Sequence, residues 1–202
     1  MTIYAIIDFE TTGLDAENNQ IIEMACIKTD LKRTLGVYHT YVKLGDKFDE
    51  VPEFIVGLTG VTTELTTTGL TEEEALSGLN NFIYSEGRFD NVVVVAQHVP
   101  FDFSYMDKFT YQPVRFLCTR TLSKLIEPEF SSSLKDVHLR LFGRPVPNHH
   151  SALADVEATY QVLVAQLDRA KEKGLTDIEN VVANTAERPL KFIPAYGRVI
   201  EM

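Results

Sequence analysis

Two kinds of apolar pattern alternate along the chain. Short apolar or alternating runs predict β-strands, and longer stretches with apolar residues every three or four positions predict amphipathic helices. The strand pattern covers Thr2–Phe9, Gln20–Lys28, Val37–Val42, Asn91–Ala96 and Val114–Cys118. The helix pattern covers Thr71–Tyr84, Phe101–Phe109, Thr121–Ile126, Ser133–Leu141 and Ser151–Lys173. This order predicts an α/β fold in which a mixed five-stranded sheet is flanked by helices on both faces.

Local signals add detail to this fold. Thr2–Phe9 is apolar almost throughout, which is typical of a central strand. A polar turn at residues 15–19 separates it from the second strand, and the first three strands would form an antiparallel meander. Thr71 and Glu74 have the spacing of a capping box, which fixes the start of the first predicted helix.

The segment after Gly174 differs from the rest, so we divide the chain into a domain at residues 1–174 and a C-terminal extension at residues 175–202. Asp177–Asn184 is predicted as a short helix and Pro189–Ile200 as an extended arm. The arm is expected to pack on the domain, because it contains four apolar residues: Leu190, Phe192, Ile193 and Tyr196. Docking of another protein is the alternative. No residue of the extension is expected to take part in the chemistry.

Composition limits the class of protein. The chain has 202 residues, 45% of them hydrophobic, which suits one domain with a full core. No apolar run approaches the roughly 20 residues that span a bilayer, and no signal peptide is expected at the start of the chain. Cys26 and Cys118 are far apart in apolar contexts, which favours reduced, buried thiols and a cytoplasmic location.

The net charge of −10 argues against an extended contact with duplex nucleic acid, but not against a grip on a strand end. Residues 44–90 contain ten acids and two bases, whereas residues 105–144 contain four acids and seven bases. Two interpretations of the basic segment remain open: solvated helix faces, or a phosphate-facing patch beside the site. Its bases are Lys108, Arg115, Arg120, Lys124, Lys135, Arg140 and Arg144.

Four carboxylates and one histidine stand where apolar segments end. Asp8 and Glu10 lie at i and i+2 near the end of the first predicted strand, so their side chains would point the same way and repel each other. Divalent cations would relieve that repulsion. Asp102, His150 and Asp155 complete the set, and it contains no cysteine, which argues against structural zinc. Two hard cations held by carboxylates are a common device for cutting phosphodiesters.

The motifs around these residues resemble those of a known family. They match, in order, the three exonuclease motifs of the DEDD 3′–5′ exonucleases. The histidine five residues before the last aspartate is typical of the DEDDh branch, which includes the proofreading subunit of bacterial replicase, RNase T and oligoribonuclease. The resemblance runs from about residue 3 to about residue 167 and implies the ribonuclease H-like fold. Its motifs are Asp8-Phe9-Glu10-Thr11-Thr12-Gly13-Leu14, Phe101-Asp102 and His150-x4-Asp155.

The resemblance implies two divalent cations, Mg²⁺ or Mn²⁺, as cofactors. We expect Asp8, Glu10 and Asp155 to hold the ion that activates water. Asp8 and Asp102 would hold the ion that stabilises the leaving 3′ oxygen, with Asp8 bridging the two. His150 is expected to be the general base, because its ordinary pKa is near neutrality. His149 is the rival, although its spacing does not match the motif.

Five residues are candidates for binding the substrate: Thr11, Thr12, Gly13, Leu14 and His98. The backbone N–H groups of the turn would hold the 3′ hydroxyl or a base edge, and the resemblance implies that Leu14 wedges beside the last base. A plain turn is the alternative. His98 follows Gln97 where the family usually has His-Asn, so it either contacts phosphate or sugar or caps the end of the strand.

The expected function is metal-dependent release of nucleoside monophosphates from the 3′ ends of single-stranded DNA. RNA is the alternative substrate, since no residue specifies whether a 2′-hydroxyl is accepted. An alternative of another class is a non-catalytic nucleic-acid-binding module, against which the intact set of five groups argues. The expected partners are a strand end and, through the C-terminal extension, a polymerase or another protein.

Overall fold

A mixed five-stranded sheet forms the centre of the computed structural model, which describes residues 2–85 and 89–202. The first three strands form an antiparallel meander, and the last two run parallel to the first, in the order β3-β2-β1-β4-β5. The predicted α/β fold is therefore confirmed. The strands are β1 (Ile3–Thr11), β2 (Ile21–Thr29), β3 (Thr34–Tyr41), β4 (Val92–Ala96) and β5 (Phe116–Cys118).

The five predicted helices form within a few residues of their expected bounds, and the capping box of Thr71 and Glu74 is present. Two further helices, α1 and α2, were not predicted, because seven and five residues are too few for a periodic pattern. Within the described ranges no helix has the length and apolar character needed to cross a membrane. The helices are α1 (Glu53–Thr59), α2 (Thr63–Thr67), α3 (Glu72–Ile83), α4 (Val99–Asp107), α5 (Thr119–Ile126), α6 (Leu134–Phe142) and α7 (Ala152–Glu172).

The alternation of side chains along β1 separates two cores on opposite faces of the sheet. Ile7 and Phe9 pack on one face with residues of α3 and α4, whereas Ile6 packs on the other face with residues of α5 and α7. Asp8 and Glu10 lie two and four positions after Ile6 on the same strand, so their side chains point to the same face as that of Ile6. The two carboxylates therefore lie on the α7 face of the sheet, just beyond the point where its apolar core ends.

The register of the parallel strands places these acids at the carboxyl edge of the sheet. The last pair between β1 and β4 is Ile6 with Val95, and β1 then continues beyond β4 through Asp8 and Glu10. The chain leaves β4 at the same edge and enters α4, which carries Asp102. A crevice at the carboxyl ends of parallel strands is the usual ligand site of open α/β sheets.

The C-terminal extension packs on the domain, but its secondary structure differs from the prediction. Val181–Asn184 forms β6, which pairs in parallel with β7 (Arg198–Glu201). The helix predicted at Asp177–Asn184 is wrong, because two buried, adjacent valines suit a strand better. Leu190 and Phe192 pack against the core on the α3 face, whereas Ile193 and Tyr196 are largely exposed.

Asn180 attaches the extension to β5. Its side-chain oxygen accepts a hydrogen bond from the N–H of Phe116 at 2.8 Å, and its amide donates to the carbonyl of Val114 at 2.8 Å. Its backbone N–H donates to the Phe116 carbonyl at 2.9 Å. The residue has a φ of 57°, a left-handed conformation that asparagine tolerates well. Asn180 thus satisfies the outer edge of β5, which no strand of the five-stranded sheet covers.

We expect Asn180→Ala to lower the free energy of unfolding by about 2 kcal/mol, because two side-chain hydrogen bonds are lost and the Phe116 N–H is left unpaired. Urea unfolding measures this change. Asn180→Asp keeps the acceptor and the backbone preference, so its loss should be smaller. Equal stability of Asn180→Ala and the wild type would contradict the anchoring role.

Candidate active site

A cavity of about 360 Å³ lies at the carboxyl edge of β1 and β4. Residues from β1, α4, α5, α6, the start of α7 and the C-terminal extension line it. The structure therefore brings the whole predicted constellation to one place, although its members are up to 147 positions apart in the chain. The constellation residues in its lining are Asp8, Glu10, Asp102, His150 and Asp155.

Three carboxylates are close enough to share one cation. Oxygens of Asp8, Glu10 and Asp155 lie within 4.8 Å of one another. Asp102 lines the same cavity from the first turn of α4, and its charge is the largest of those that raise the pKa of Asp8. A donor set made of carboxylate oxygens suits Mg²⁺ or Mn²⁺, so the residues present fit the cations that the sequence implies.

Burial and mutual repulsion make these acids hard to ionise without a cation. Burial, followed by the charges of Asp102 and Asp155, raises the pKa of Asp8 well above its ordinary value. Burial and the charge of Asp155 raise the pKa of Glu10 to about 8, and burial raises the pKa of Asp102 to about 8. A bound cation would reverse this effect, because it favours the charged form of each ligand.

A further buried acid, Glu23, lies beside the site and was not predicted from the sequence. It lies directly opposite Glu10 in the β1–β2 register and is 3% exposed. One of its oxygens accepts the N–H of Ala152 at 3.2 Å, and the other lies 2.7 Å from Nε2 of His39. A carboxylate at the N-terminus of a helix is favourable. Glu23 thus fixes the start of α7. In the sequence, the feature that could have identified it is a lone acid within the apolar second strand.

The two histidines before α7 both contact Asp155. Nδ1 of His149 lies 2.8 Å and 3.0 Å from the two carboxylate oxygens, whereas His150 approaches one of them through its backbone N–H at 3.2 Å. The rings stack with centroids 3.9 Å apart. Burial and the neighbouring His149 lower the pKa of His150, which favours the neutral imidazole that a general base requires.

The turn after β1 has fewer free N–H groups than expected. The N–H of Thr12 donates to the Gln20 carbonyl at 2.9 Å, so it is not available to a substrate. The Gly13 carbonyl accepts the Tyr105 hydroxyl at 2.9 Å, and a Cβ at Gly13 would meet the Asn19 side chain at 2.5 Å. Leu14 is 70% exposed and lines the cavity, a position compatible with a wedge against a base.

His98 lines the cavity, and its side chain makes no capping bond at the start of α4. Its Nδ1 is buried and has no hydrogen-bond partner in the part of the chain that the structure describes. Burial, with the charges of Arg188 and Arg120, lowers its pKa to about 3, so the ring is neutral. Gln97 instead donates to the Ser132 carbonyl at 2.9 Å, which holds the loop before α6.

Six of the seven cations of the basic segment divide into two groups. Four of them form ion pairs and are not in the lining of the cavity: Lys108, Arg115, Lys124 and Arg140. Two others, Arg120 and Lys135, line the cavity, and Arg188 of the C-terminal extension joins them there. The C-terminal extension therefore reaches the cavity, because the turn after β6 returns the chain to the carboxyl edge of the sheet.

Comparison with known sequences finds one family and many relatives. Residues 5–163 match the RNase T family model, which is described as exonuclease. The PolC-type DNA polymerase III of Staphylococcus haemolyticus is 24% identical over 185 residues, which cover 88% of this chain but 12% of the polymerase. The chain therefore spans only a small part of that relative's length.

Solved structures share the architecture at low sequence identity. Escherichia coli Exonuclease I in complex with a dT13 oligonucleotide has a TM-score of 0.68 and 18% identity, covering 87% of this chain and 42% of that chain. The nuclease domain of 3′hExo, a DEDDh family member bound to rAMP, has a TM-score of 0.68 and 16% identity, covering 82% of this chain and 92% of that chain. The likeness confirms the ribonuclease H-like fold.

The raised pKa values of Glu10 and Asp102 predict a pH-dependent stability of the metal-free protein. The folded chain holds more protons than the unfolded chain between about pH 4 and pH 8, so stability falls as the pH rises through that window. Melting temperatures in chelator should decline across it, and less steeply for Glu10→Gln. The exposed control Glu53→Gln should keep the wild-type slope. Identical slopes for all three proteins would contradict the role assigned to Glu10.

Proposed function

The chain belongs to the RNase T family of exonucleases, which confirms its resemblance to the DEDD 3′–5′ exonucleases, and from this we propose that it releases nucleoside monophosphates from the 3′ ends of single-stranded DNA. One observation carries the proposal. The oxygens of Asp8, Glu10 and Asp155 cluster within 4.8 Å in a cavity that Asp102 also lines. Such a cluster is suited to cations that act on a phosphodiester.

In this proposal Asp8, Glu10, Asp102 and Asp155 would hold two divalent cations, and Asp8 would contribute to both. When bound, the cations neutralise phosphate charge and support the attacking and leaving oxygens. Hydrolysis joins a water oxygen to phosphorus and breaks the bond to the 3′ oxygen, which takes up a proton. Glu23 helps to keep the four acids in position. It accepts the first N–H of α7, the helix that carries Asp155, and it lies on β2 directly opposite Glu10.

The water proton goes to a histidine before α7. We assign this role to His150, since its spacing to Asp155 matches the family motif and its lowered pKa favours the neutral ring. His149 is the competing candidate, because its Nδ1 already lies 2.8 Å from Asp155. In the observed arrangement that contact would instead orient the carboxylate. Thr11, Thr12, Gly13, Leu14 and His98 are assigned to substrate binding, with Leu14 beside the terminal base.

DNA is the proposed polymer, with support from relatives that are DNA polymerases and from a structural neighbour bound to an oligonucleotide of dT. RNA is the second candidate, and it is favoured by the neighbour bound to rAMP. The extension at residues 175–202 is proposed as an addition to an exonuclease domain at residues 1–174. Its exposed Ile193 and Tyr196 would face a polymerase or another protein. Two buried free cysteines support a cytoplasmic setting.

Purified protein with Mg²⁺ or Mn²⁺ should shorten a 5′-labelled single strand progressively, with DNA preferred to matched RNA. Chelator should stop the reaction, and Asp8→Asn should lower turnover by several orders of magnitude, because a shared ligand is removed. Separation of products on a gel measures both outcomes. Cleavage of a closed circular strand, or activity that persists in chelator, would overturn the proposal.

The two histidines are distinguished by a pair of variants. His150→Ala should lose most of the turnover and the acidic limb of the pH–rate profile, because the proton acceptor is gone. His149→Ala should retain that limb and change the rate less. The profiles of kcat against pH decide between them. The reverse result would transfer the role of base to His149.

A further inference from the structure

Two guanidinium groups line the metal cavity, and the charge of Glu187 acts on one of them, Arg120, while that of Asp102 is affected by the other, Arg188. Arg120 lies in the first turn of α5 and is 6% exposed, and its buried Nη2 has no hydrogen-bond partner among the described residues. Arg188 lies in the C-terminal extension and lines the same cavity. Across residues 2–85 and 89–202 neither side chain forms an ion pair. Burial of an unpaired charge such as that of Arg120 is costly, whereas Arg188 is exposed.

The two cations also act on each other. Both line the same cavity, and burial and then the charge of Arg188 lower the pKa of Arg120, whereas the charge of Glu187 raises it. The buried Nδ1 of His98, which lines the same cavity, adds another unsatisfied polar atom. A cavity whose lining combines these positive and polar groups with the carboxylates is complementary to a phosphate held between cations and arginines.

The extension holds Arg188 in place from both sides. Before it, the turn is closed by the N–H of Arg188, which donates to Oγ1 of Thr185 at 3.1 Å. After it, the N–H of Leu190 donates to Oδ1 of Asn184 at 3.0 Å, and Leu190 and Phe192 pack on the core. The arginine is therefore presented by a fixed turn, although its own side chain is exposed.

The arm also walls a second cavity of about 410 Å³ that continues from the first. Both cavities are lined by Leu14, His98, Phe101 and Arg188, so the arginine stands where they meet. The opposite wall of the second cavity comes from the turn after β1 and from α4, and the arm supplies Pro189, Lys191 and Phe192. Besides apolar side chains, its lining contains three bases, Lys108, Arg188 and Lys191, and four acids, Asp15, Glu17, Asp107 and Glu187.

We propose that Arg120 and Arg188 form a clasp for a backbone phosphate of the bound strand, so that the C-terminal extension is part of the substrate groove. The proposal rests on the proposed function only for the identity of the ligand as a nucleic acid strand. Guanidinium groups bind phosphate through paired hydrogen bonds, and each such contact releases counter-ions from the strand.

The test is the salt dependence of strand binding. A 5′-labelled single-stranded DNA is titrated with the full chain in Ca²⁺, which accepts the same oxygen ligands, and fluorescence anisotropy is recorded over a range of salt concentrations. Arg188→Gln and Arg120→Gln should each weaken binding roughly tenfold at low salt. Each should also reduce the slope of log K against log salt by about 0.7, the value for one phosphate contact of a single strand.

Two further variants of arginine serve as controls. Arg188→Lys keeps the charge, so it should keep the slope while losing part of the affinity. Arg198→Gln removes a positive charge from the same extension at a residue that pairs with Asp177, so binding and slope should match the wild type. If Arg120→Gln proves unstable because its site is buried, Arg188→Gln carries the test alone.

The outcomes separate the clasp from the proposed function. Slopes for Arg188→Gln that equal those of Arg198→Gln would overturn the clasp and leave the arginines as neutralisers of the acidic cluster, even if the wild type shortens DNA. An arginine-dependent slope in a protein that never shortens a strand in Mg²⁺ or Mn²⁺ would support the clasp and overturn the exonuclease assignment.

Discussion

The repulsion between carboxylates at the end of β1 is the constraint on which the rest of the site depends. Asp8 and Glu10 point to the same face because a strand has a period of two, and Asp155 meets them from α7. The fold accepts this cost because the rest of β1 is buried on both sides. A sheet with two full cores can carry a few unfavourable groups at its edge, where a ligand can reach them.

Glu23 shows how that constraint extends into the surrounding structure. It adds a fifth carboxyl group beside the four of the site, yet it is held by His39 and by the first N–H of α7. The same carboxylate therefore links the middle strand of the meander to the helix that supplies Asp155. The position of α7 over the sheet is set by a polar contact as well as by apolar packing, which favours one alignment of the acids.

The sequence allowed the sheet, the main helices and the acidic cluster to be predicted, because each rests on a local pattern. Asp8 and Glu10 follow from strand periodicity, and Thr71 with Glu74 from capping chemistry. The position of Arg188 at the cavity could not be predicted. It depends on a turn at Thr185 and on the packing of Leu190, and no local sequence pattern shows that these features bring the chain to the cavity. The strand at Val181–Asn184 was predicted as a helix for a related reason. It is stabilised by residues distant in sequence, because it pairs with Arg198–Glu201 and Asn180 attaches it to β5.

The position of Arg188 late in the chain affects the order in which the acidic cluster and the substrate groove can form during synthesis. Every acid of the cluster has been synthesised by residue 155, whereas the last wall of the groove comes from residues 187–192. A chain emerging from the ribosome can thus assemble its sheet and gather its carboxylates before the groove exists. The domain would then be folded before it can bind a nucleic acid strand, and it would gain that ability only when the turn of the extension packs against it.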